Sequence, residues 1–528
     1  MYKITEGDFS NQKFSQEEYL NNWPMLYILE NGKQAYIGES NHVKQRMSQH
    51  KRSKEKAIFN KVHFIYSKKF NQSVTFDYEA KLIAYIAADE MYEVTNGNGG
   101  LADKSYYEKD YYDQEFYQLW RRLQRERLVK HSLEEIEQSD LFKYSPFKKL
   151  NDDQRNAVEI ILEELKMGSN KNIVVNGMPG SGKTIVAIYL MKHLRDSDEF
   201  RNKKIGFVVP QTSLRTKMKK IFKSIYGLKG ADVLSPSDVT KTYYDILIVD
   251  EAHRLHQYKN ISYMGSFKSS CNRIGLTTEA DELDWIMHQC DCPILFYDEM
   301  QVVGPSGIDN QRFTEKMEKD YKKRIATYFK LLTQMRVRGG NNYIGYIDNI
   351  LQCKQGKKTE FTDYEFGIFR DFRKFEKLMY KKESQESLTR MISGYSWIWE
   401  SKNDSTKTDI HIEGVQRKWN HCTEGWVHSK EAIDEIGCIH SIQGYDLNYA
   451  FVIFGREISY DVKTKKIIVN RDMYFDQNGK KTATDKELLD YIKDIYYVLL
   501  SRGIKGTYVY AYNRELREYL ENYIDVIE

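Results

Sequence analysis

The chain has 528 residues, enough for about three or four domains of roughly 150 residues each. Hydrophobic residues at 41% and charged residues at 30% fit an ordinary globular protein; 7 Pro and 31 Gly exclude a fibrous chain, and no run of about 18 apolar residues offers a membrane span. With 80 basic against 76 acidic residues the net charge is +4, so the chain is no polycation and a nucleic-acid surface must be local.

The opening stretch MYKITEGDFS lacks the apolar core of a secretory signal, so a cytoplasmic location is expected. Residues 1–103 read as a first domain of short apolar strands and a basic helix, ending in the glycine-rich run Asn96-Gly97-Asn98-Gly99-Gly100. Between Lys33 and Lys69 stand ten Lys or Arg (Lys33, Lys44, Arg46, Lys51, Arg52, Lys54, Lys56, Lys61, Lys68, Lys69) against only Glu39 and Glu55. Such a balance attracts phosphate, although charge alone leaves a solvated face equally open. Residues 104–149 are strongly charged with a helical rhythm and read as a helical connector.

From Leu150 onward, short continuous apolar runs alternate with helical stretches: NIVVNG, KIGFVVP, YDILIVDEAH and CPILFYDE, then YAFVIFG and GTYVYAYN. That alternation predicts parallel sheets in α/β layers, with lobes over residues 150–335 and 336–528. A hairpin is expected at SYDVKTKKIIVNRD, inserted late in the second lobe. The six cysteines include no C-x-x-C pair, so neither a disulfide framework nor a zinc ribbon is expected.

The run Gly177-Met-Pro-Gly180-Ser-Gly182-Lys183-Thr184 follows an apolar strand and opens a helix, the context a phosphate-binding loop needs. Its glycines let backbone amides curl around a phosphate at a helix N-terminus, where the dipole favours anions. Lys183 is placed to reach the β- and γ-phosphates of a nucleotide, and Thr184 to ligate Mg2+. Downstream, the strand Ile246-Leu-Ile-Val249 ends in Asp250-Glu251, where Asp250 can hold the same Mg2+ and Glu251 can polarise the attacking water. ATP and Mg2+ are the expected cofactors.

Over about Leu150 to Asn513 the chain resembles the superfamily 1 helicase-like ATPases, in particular the bacterial branch related to the Schlafen nucleotide-binding domain. Leu150-Asn-Asp-Asp-Gln154 is similar to the glutamine motif, which implies that Gln154 reads adenine. Val208-Val-Pro-Gln-Thr-Ser-Leu-Arg215 resembles motif Ia, a strand-contacting segment. Phe296-Tyr-Asp298-Glu-Met-Gln301 resembles motif III, with Gln301 as γ-phosphate sensor; Leu332-Thr-Gln-Met-Arg336 resembles motif IV. Ile439-His440-Ser-Ile-Gln443-Gly444 resembles motif V and Ser501-Arg502-Gly503 motif VI, with Ser501 where threonine is usual. The resemblance implies that Arg336 and Arg502 reach the transferring phosphoryl group when the lobes close and that Gln443 contacts the nucleotide.

In the first domain, Met25-Leu-Tyr27, Ala35-Tyr36-Ile37-Gly38, then Arg46 and His50, Glu79 on a helix and Asn96 resemble the GIY-YIG nucleases. The first triplet keeps only its tyrosine. The resemblance implies Glu79 as the single metal ligand, Tyr27 or Tyr36 assisting proton removal, Arg46 stabilising phosphate charge and His50 orienting water or phosphate. Asn96 would pin the nearby loop, and Gly38 would permit a tight strand-to-helix turn. Taken alone, Tyr27 and Tyr36 could be cross-strand core aromatics and Glu79 a solvated acid.

Together these features predict an α/β multidomain enzyme: a small nuclease domain, a helical connector and two RecA-like lobes acting on nucleic acid. DNA is expected ahead of RNA, and the family pairing implies antiphage defence or DNA repair. An RNA-directed (tRNA) nuclease and an ATP-switched binding protein without cleavage are the alternatives. Beyond nucleic acid, the partners to look for are a second copy of the chain or a partner defence protein.

Overall fold

The computed structural model describes residues 2–9, 22–97, 106–146, 150–167, 171–301, 304–320, 326–331, 333–334, 337–422, 425–442 and 445–527. Arg336 and Gln443, singled out above, lie outside the described residues. By packing, the chain divides into two compact units: Met1–Val158 with Thr184–Lys203 and Thr216–Val233, and Glu159–Lys183 with Lys204–Arg215 and Leu234–Glu528.

The first unit opens with β1 (Lys3–Asp8), β2 (Met25–Glu30), β3 (Gln34–Ser40), α1 (Val43–Arg52), β4 (Lys61–Tyr66), α2 (Gln72–Asp89) and β5 (Glu93–Val94). The strands form one sheet in the order β1-β4-β2-β3-β5. Successive strand side chains point to opposite faces. Leu26 and Ile28 therefore pack with Val74, Tyr78 and Leu82 of α2, while Tyr27 and Leu29 pack with Val43 and Met47 of α1. α2 starts at Asn71, whose side chain accepts from the Val74 amide, a cap that satisfies one orphan donor. Helices α3 (Lys109–Arg125), α4 (Leu133–Gln138) and α5 (Asp140–Lys143) follow, and Phe116, Leu119, Trp120 and Leu123 of α3 join the α2 core. α6 (Asp152–Lys166) follows.

The first lobe holds β6 (Asn172–Gly177), α7 (Lys183–Asp196), β7 (Ile205–Val208), α8 (Thr212–Ser224), β8 (Val233–Leu234), α9 (Pro236–Val239), β9 (Tyr244–Val249), α10 (Met264–Arg273), α11 (Glu282–His288), β10 (Cys290–Tyr297), α12 (Asn310–Glu315) and β11 (Ala326–Leu331). Its sheet runs β11-β6-β10-β9-β7-β8, and the β11/β6, β6/β10, β10/β9 and β9/β7 pairs are all parallel.

The second lobe comprises α13 (Gly340–Leu351), β12 (Glu365–Phe369), α14 (Phe372–Glu386), β13 (Thr389–Ser393), β14 (Ile410–Ile412), β15 (Val415–Trp419), β16 (Glu435–Gly437), α15 (Ile439–Ile442), β17 (Leu447–Phe454), β18 (Ile458–Asp461), β19 (Lys466–Val469), α16 (Gln477–Lys480), α17 (Asp485–Leu500), β20 (Gly503–Ala511), α18 (Arg514–Glu521) and β21 (Asp525–Ile527). Its sheet order is β14-β15-β16-β13-β17-β20-β12-β21. Val452 and Val509 face α17 and α18, while Phe451 and Ile453 face α14, so both faces are covered as a parallel sheet requires. The expected late hairpin is the antiparallel pair β18/β19. The architecture is thus the mixed α/β arrangement with two parallel-sheet lobes that the apolar runs predict.

Candidate functional site

In the first domain the sheet register brings the tyrosines together. Tyr27 on β2 stands opposite Gly38 on β3. A Cβ at Gly38 would lie 2.2 Å from the Tyr27 hydroxyl oxygen, so the bare glycine makes the bed for that ring. This differs from the turn-forming role expected: Gly38 lies inside β3, and its lack of a side chain matters rather than its backbone freedom. The rings of Tyr27, Tyr36 and His50 form a cluster with centroid separations of 6.5, 5.6 and 5.3 Å. The Tyr27 hydroxyl and His50 Nε2 are 2.7 Å apart. Burial, reinforced by Arg46 and Lys56, pushes His50 down to about 4, so the ring is neutral at neutral pH and can accept the Tyr27 proton in a hydrogen bond.

Burial raises the phenols of both Tyr27 and Tyr36, while Arg46 reaches both hydroxyls and opposes the rise. Lys56, in the turns after α1, sits with its ammonium 3.4 Å from the Tyr36 ring centre, a cation–π contact. Burial, partly offset by Glu55 and reinforced by Arg46, lowers Lys56 to about 8. Neither Lys56 nor the neighbouring carboxylate Glu39 was distinguishable by spacing.

Glu79 on α2 approaches the end of β3. Its carboxyl is lifted to about 7 by burial first and then by Glu39, against a hydrogen bond from the Glu39 amide and the charge of Arg46. Glu39 is itself raised by burial, and the Thr75 hydroxyl donates to it at 3.4 Å. Two half-buried carboxylates facing one another with Arg46 as counter-charge are a donor set that suits a hard, oxygen-preferring cation. Among the described residues no group of three or more His, Cys, Asp or Glu forms a fuller metal cage. Asn96 accepts from the Ile37 amide at 3.0 Å and donates to the Ile37 carbonyl at 2.8 Å, clamping β3 between Tyr36 and Gly38. Around the site, Lys44, Arg46, Lys51, Arg52 and Lys54 are exposed.

In the first lobe the loop from Gly177 to Lys183 joins β6 to α7, with Gly180 and Gly182 at φ +82° and +81°, conformations that favour glycine. A Cβ on Gly177 would meet the Ser181 hydroxyl at 2.5 Å. Lys183 is buried; its ammonium donates to the Gly177 and Met178 carbonyls and pairs with Asp298 at 2.8 Å. Asp298 also accepts from Gln301 at 2.5 Å. Asp298, within the motif III segment, is the residue that holds the lysine. Thr184 is the second residue of α7, next to Lys183 in the chain.

At the end of β9, Asp250 is fully buried and Glu251 takes φ 55°. Burial alone would raise Glu251, but His253 at 2.9 Å, Arg254 at 3.2 Å and Lys183 outweigh it and hold the carboxyl well below the usual range. Gln334, two residues before Arg336, donates to the Pro179 carbonyl of the glycine loop. Across from motif III, Asp494 of α17 is pushed to about 8 by burial and by Asp490, Asp298 and Asp348. Arg502 is buried in the second lobe and donates to the Tyr445 carbonyl at 3.4 Å. Gln154 forms a reciprocal cap with Asn151: its carbonyl accepts from the Asn151 amide at 3.0 Å while its own amide donates back at 2.8 Å.

A family model described as Schlafen group 3, DNA/RNA helicase domain, matches residues 170–513, and a GIY-YIG catalytic domain model matches residues 24–88. A Saccharomyces cerevisiae protein described as uncharacterized is 25% identical over 395 residues, which is 66% of this chain and 83% of that protein. Among solved structures, Pif1 helicase from Bacteroides with ADP-AlF3 and ssDNA is 12% identical at TM-score 0.29, covering 69% of this chain and 92% of that one. Mss116p bound to ssRNA and AMP-PNP is 14% identical at TM-score 0.30, covering 72% of this chain and 78% of that one. The helicase-domain match spans more than half the sequence, so the chain belongs to the Schlafen group 3 helicase-domain family and carries a GIY-YIG domain ahead of it.

Proposed function

We propose that this protein is an ATP-dependent nucleic-acid-processing enzyme in which a Mg2+-dependent endonuclease is coupled to a helicase-like translocase. The nuclease occupies residues 1–103, residues 104–149 connect it, and the motor lobes are residues 150–335 and 336–528. DNA is the proposed substrate ahead of RNA, and antiphage defence or DNA repair the proposed setting. The observation that carries the nuclease half is the convergence of Tyr27, Tyr36 and His50, with Arg46 reaching both hydroxyls and Glu79 within electrostatic reach of them.

Hydrolysis of a phosphodiester needs a base for the attacking water and positive charge for the developing phosphorane. Tyr36 is the more exposed of the two phenols and has Arg46 and Lys56 beside it, which supports it as the group that would exchange a proton with water. Tyr27, fully buried and bonded to neutral His50, fixes the ring cluster. Arg46 is exposed and would meet the phosphate. Glu79, with Glu39 beside it, would hold Mg2+, which when bound draws charge from the scissile phosphate.

In the motor, Lys183 waits on Asp298 and would exchange that carboxylate for nucleotide phosphate. Thr184 and Asp250 would complete a Mg2+ shell, and Glu251, held ionised, would orient water. Gln301, bonded to the same Asp298, would register the exchange. Gln154, Arg336, Gln443 and Arg502 retain their proposed nucleotide roles.

The test is a cleavage assay on duplex DNA, single-stranded DNA and tRNA with Mg2+ and ATP. Glu79→Ala is expected to abolish cleavage and spare ATP hydrolysis. Wild-type protein that binds all three substrates and cuts none would make the first domain a clamp.

A further inference from the structure

Outside both candidate sites, His421 and Cys422, just after β15, meet Glu435, the first residue of β16. Cys422 Sγ is 3.3 Å from His421 Nε2, and His421 Nδ1 is 3.0 Å from Glu435 Oε2. That same carboxylate oxygen accepts from the Trp426 indole at 2.8 Å and from the His421 amide at 3.1 Å. Glu435 and Trp426 are buried, so the acceptor that orients the imidazole is fixed from three sides. With Nδ1–H donating to Glu435, Nε2 carries a lone pair toward the sulfur, the nucleophile, base and orienter order of an activated thiol. The Asn420 side chain donates to the Cys422 carbonyl at 2.9 Å and fixes the backbone at Cys422. Cys422 is partly exposed, whereas Cys271, Cys290, Cys292 and Cys438 are buried.

We propose that Cys422 is a redox modification site, at which His421 activates the thiol for attack on a small hydroperoxide. In the step, the thiol proton passes to His421 Nε2 and the sulfur attacks one peroxide oxygen. The S–O bond forms as the O–O bond breaks, and the leaving oxygen takes the proton from the imidazolium. With hydrogen peroxide the products are a sulfenic acid on Cys422 and one water: the sulfur is oxidised and the peroxide reduced. A small peroxide suits a half-buried sulfur, and the imidazolium supplies the proton its leaving group needs. Asn420, bonded to the Cys422 carbonyl, also accepts from the Cys438 amide at 3.1 Å, one residue before motif V begins. The proposal is independent of the nuclease and motor readings.

The test uses the full-length protein treated with hydrogen peroxide and a sulfenic-acid-trapping dione, then mapped by mass spectrometry, with iodoacetamide labelling in parallel. Cys353, the other partly exposed cysteine, is the internal reference. Cys422 is expected to react about tenfold or more faster than Cys353, as an activated thiol does over an ordinary one. His421→Asn is expected to erase that advantage while the rate at Cys353 stays unchanged; Glu435→Gln, which keeps a carbonyl acceptor for Trp426, is expected to weaken it. Equal rates at Cys422 and Cys353 in the wild type would overturn the proposal, whatever the variants do. So would a folded His421→Asn protein with Cys422 still fast.

Discussion

Replacing Gly38 by alanine puts a methyl group 2.2 Å from the Tyr27 hydroxyl oxygen and 2.3 Å from the carbon that bears it. Ordinary contact there needs well over 3 Å, so either the ring or the strand must move by more than an ångström. Tyr27 has no free direction: it is fully buried, its strand is paired on both sides, and its hydroxyl is bonded to His50. Overpacking of this kind costs about 1–3 kcal/mol. Losing the buried hydrogen bond adds about 1 kcal/mol. A combined loss of about 2–4 kcal/mol should lower the melting transition of this small domain by roughly 10 °C or more. Differential scanning calorimetry reads the shift, and the cleavage assay reads the displaced tyrosine as at least a tenfold loss, with ATP hydrolysis intact. Gly345→Ala, on an exposed turn of α13 with open space around its Cβ, is the matched control and should raise stability by about 0.5–1 kcal/mol. A Gly38→Ala protein with wild-type melting and cleavage would refute the claim that the bare β3 backbone positions Tyr27.

Other substitutions probe the remaining parts. Asn96→Ala removes both bonds to Ile37, and should cost about 2 kcal/mol and most of the cleavage while ATP turnover is unchanged. Lys183→Ala should abolish ATP hydrolysis and, by stranding buried Asp298, cost about 3 kcal/mol; adding Asp298→Asn should recover stability without recovering activity, as urea melts of the double variant would show. Glu457 is lifted to about 7 by burial, with the Tyr496 hydroxyl donating to it at 2.6 Å. The folded state therefore keeps this proton where the unfolded chain sheds it. Its stabilising effect is complete below about pH 4.5 and is lost as pH rises through about 7, a fall of roughly 3 kcal/mol. Glu457→Gln should flatten that slope between pH 5 and pH 8 in urea melts, and an unchanged slope would rule Glu457 out as its source.

The parts of this protein legible in sequence are those whose chemistry is set by neighbours along the chain. A phosphate cradle needs consecutive amides, so Gly177 to Thr184 announce it, and the left-handed Gly180 and Gly182 are where they must be. The continuous apolar runs predict parallel, doubly covered sheets, and the hairpin expected at SYDVKTKKIIVNRD, with Lys463-Thr464-Lys465 near its middle, is the β18/β19 pair. What spacing could not reveal depends on register between distant strands. Lys183 meets Asp298 because β6 and β10 are neighbours, although 115 residues separate the pair. Lys56 reaches Tyr36 only through the path of the turns after α1, and Glu39 meets Glu79 only because α2 packs back on β3. Gly38 reads as a turn glycine until its partner across the ladder is known to be Tyr27.

The coupling of cutting to ATP is tested most directly by the rate at which a long DNA duplex is cleaved in Mg2+, with and without ATP, by wild-type and Lys183→Ala protein. The account predicts that ATP accelerates the wild type and leaves Lys183→Ala slow in both conditions. Lys183→Ala protein cutting at the wild-type rate regardless of ATP would contradict it.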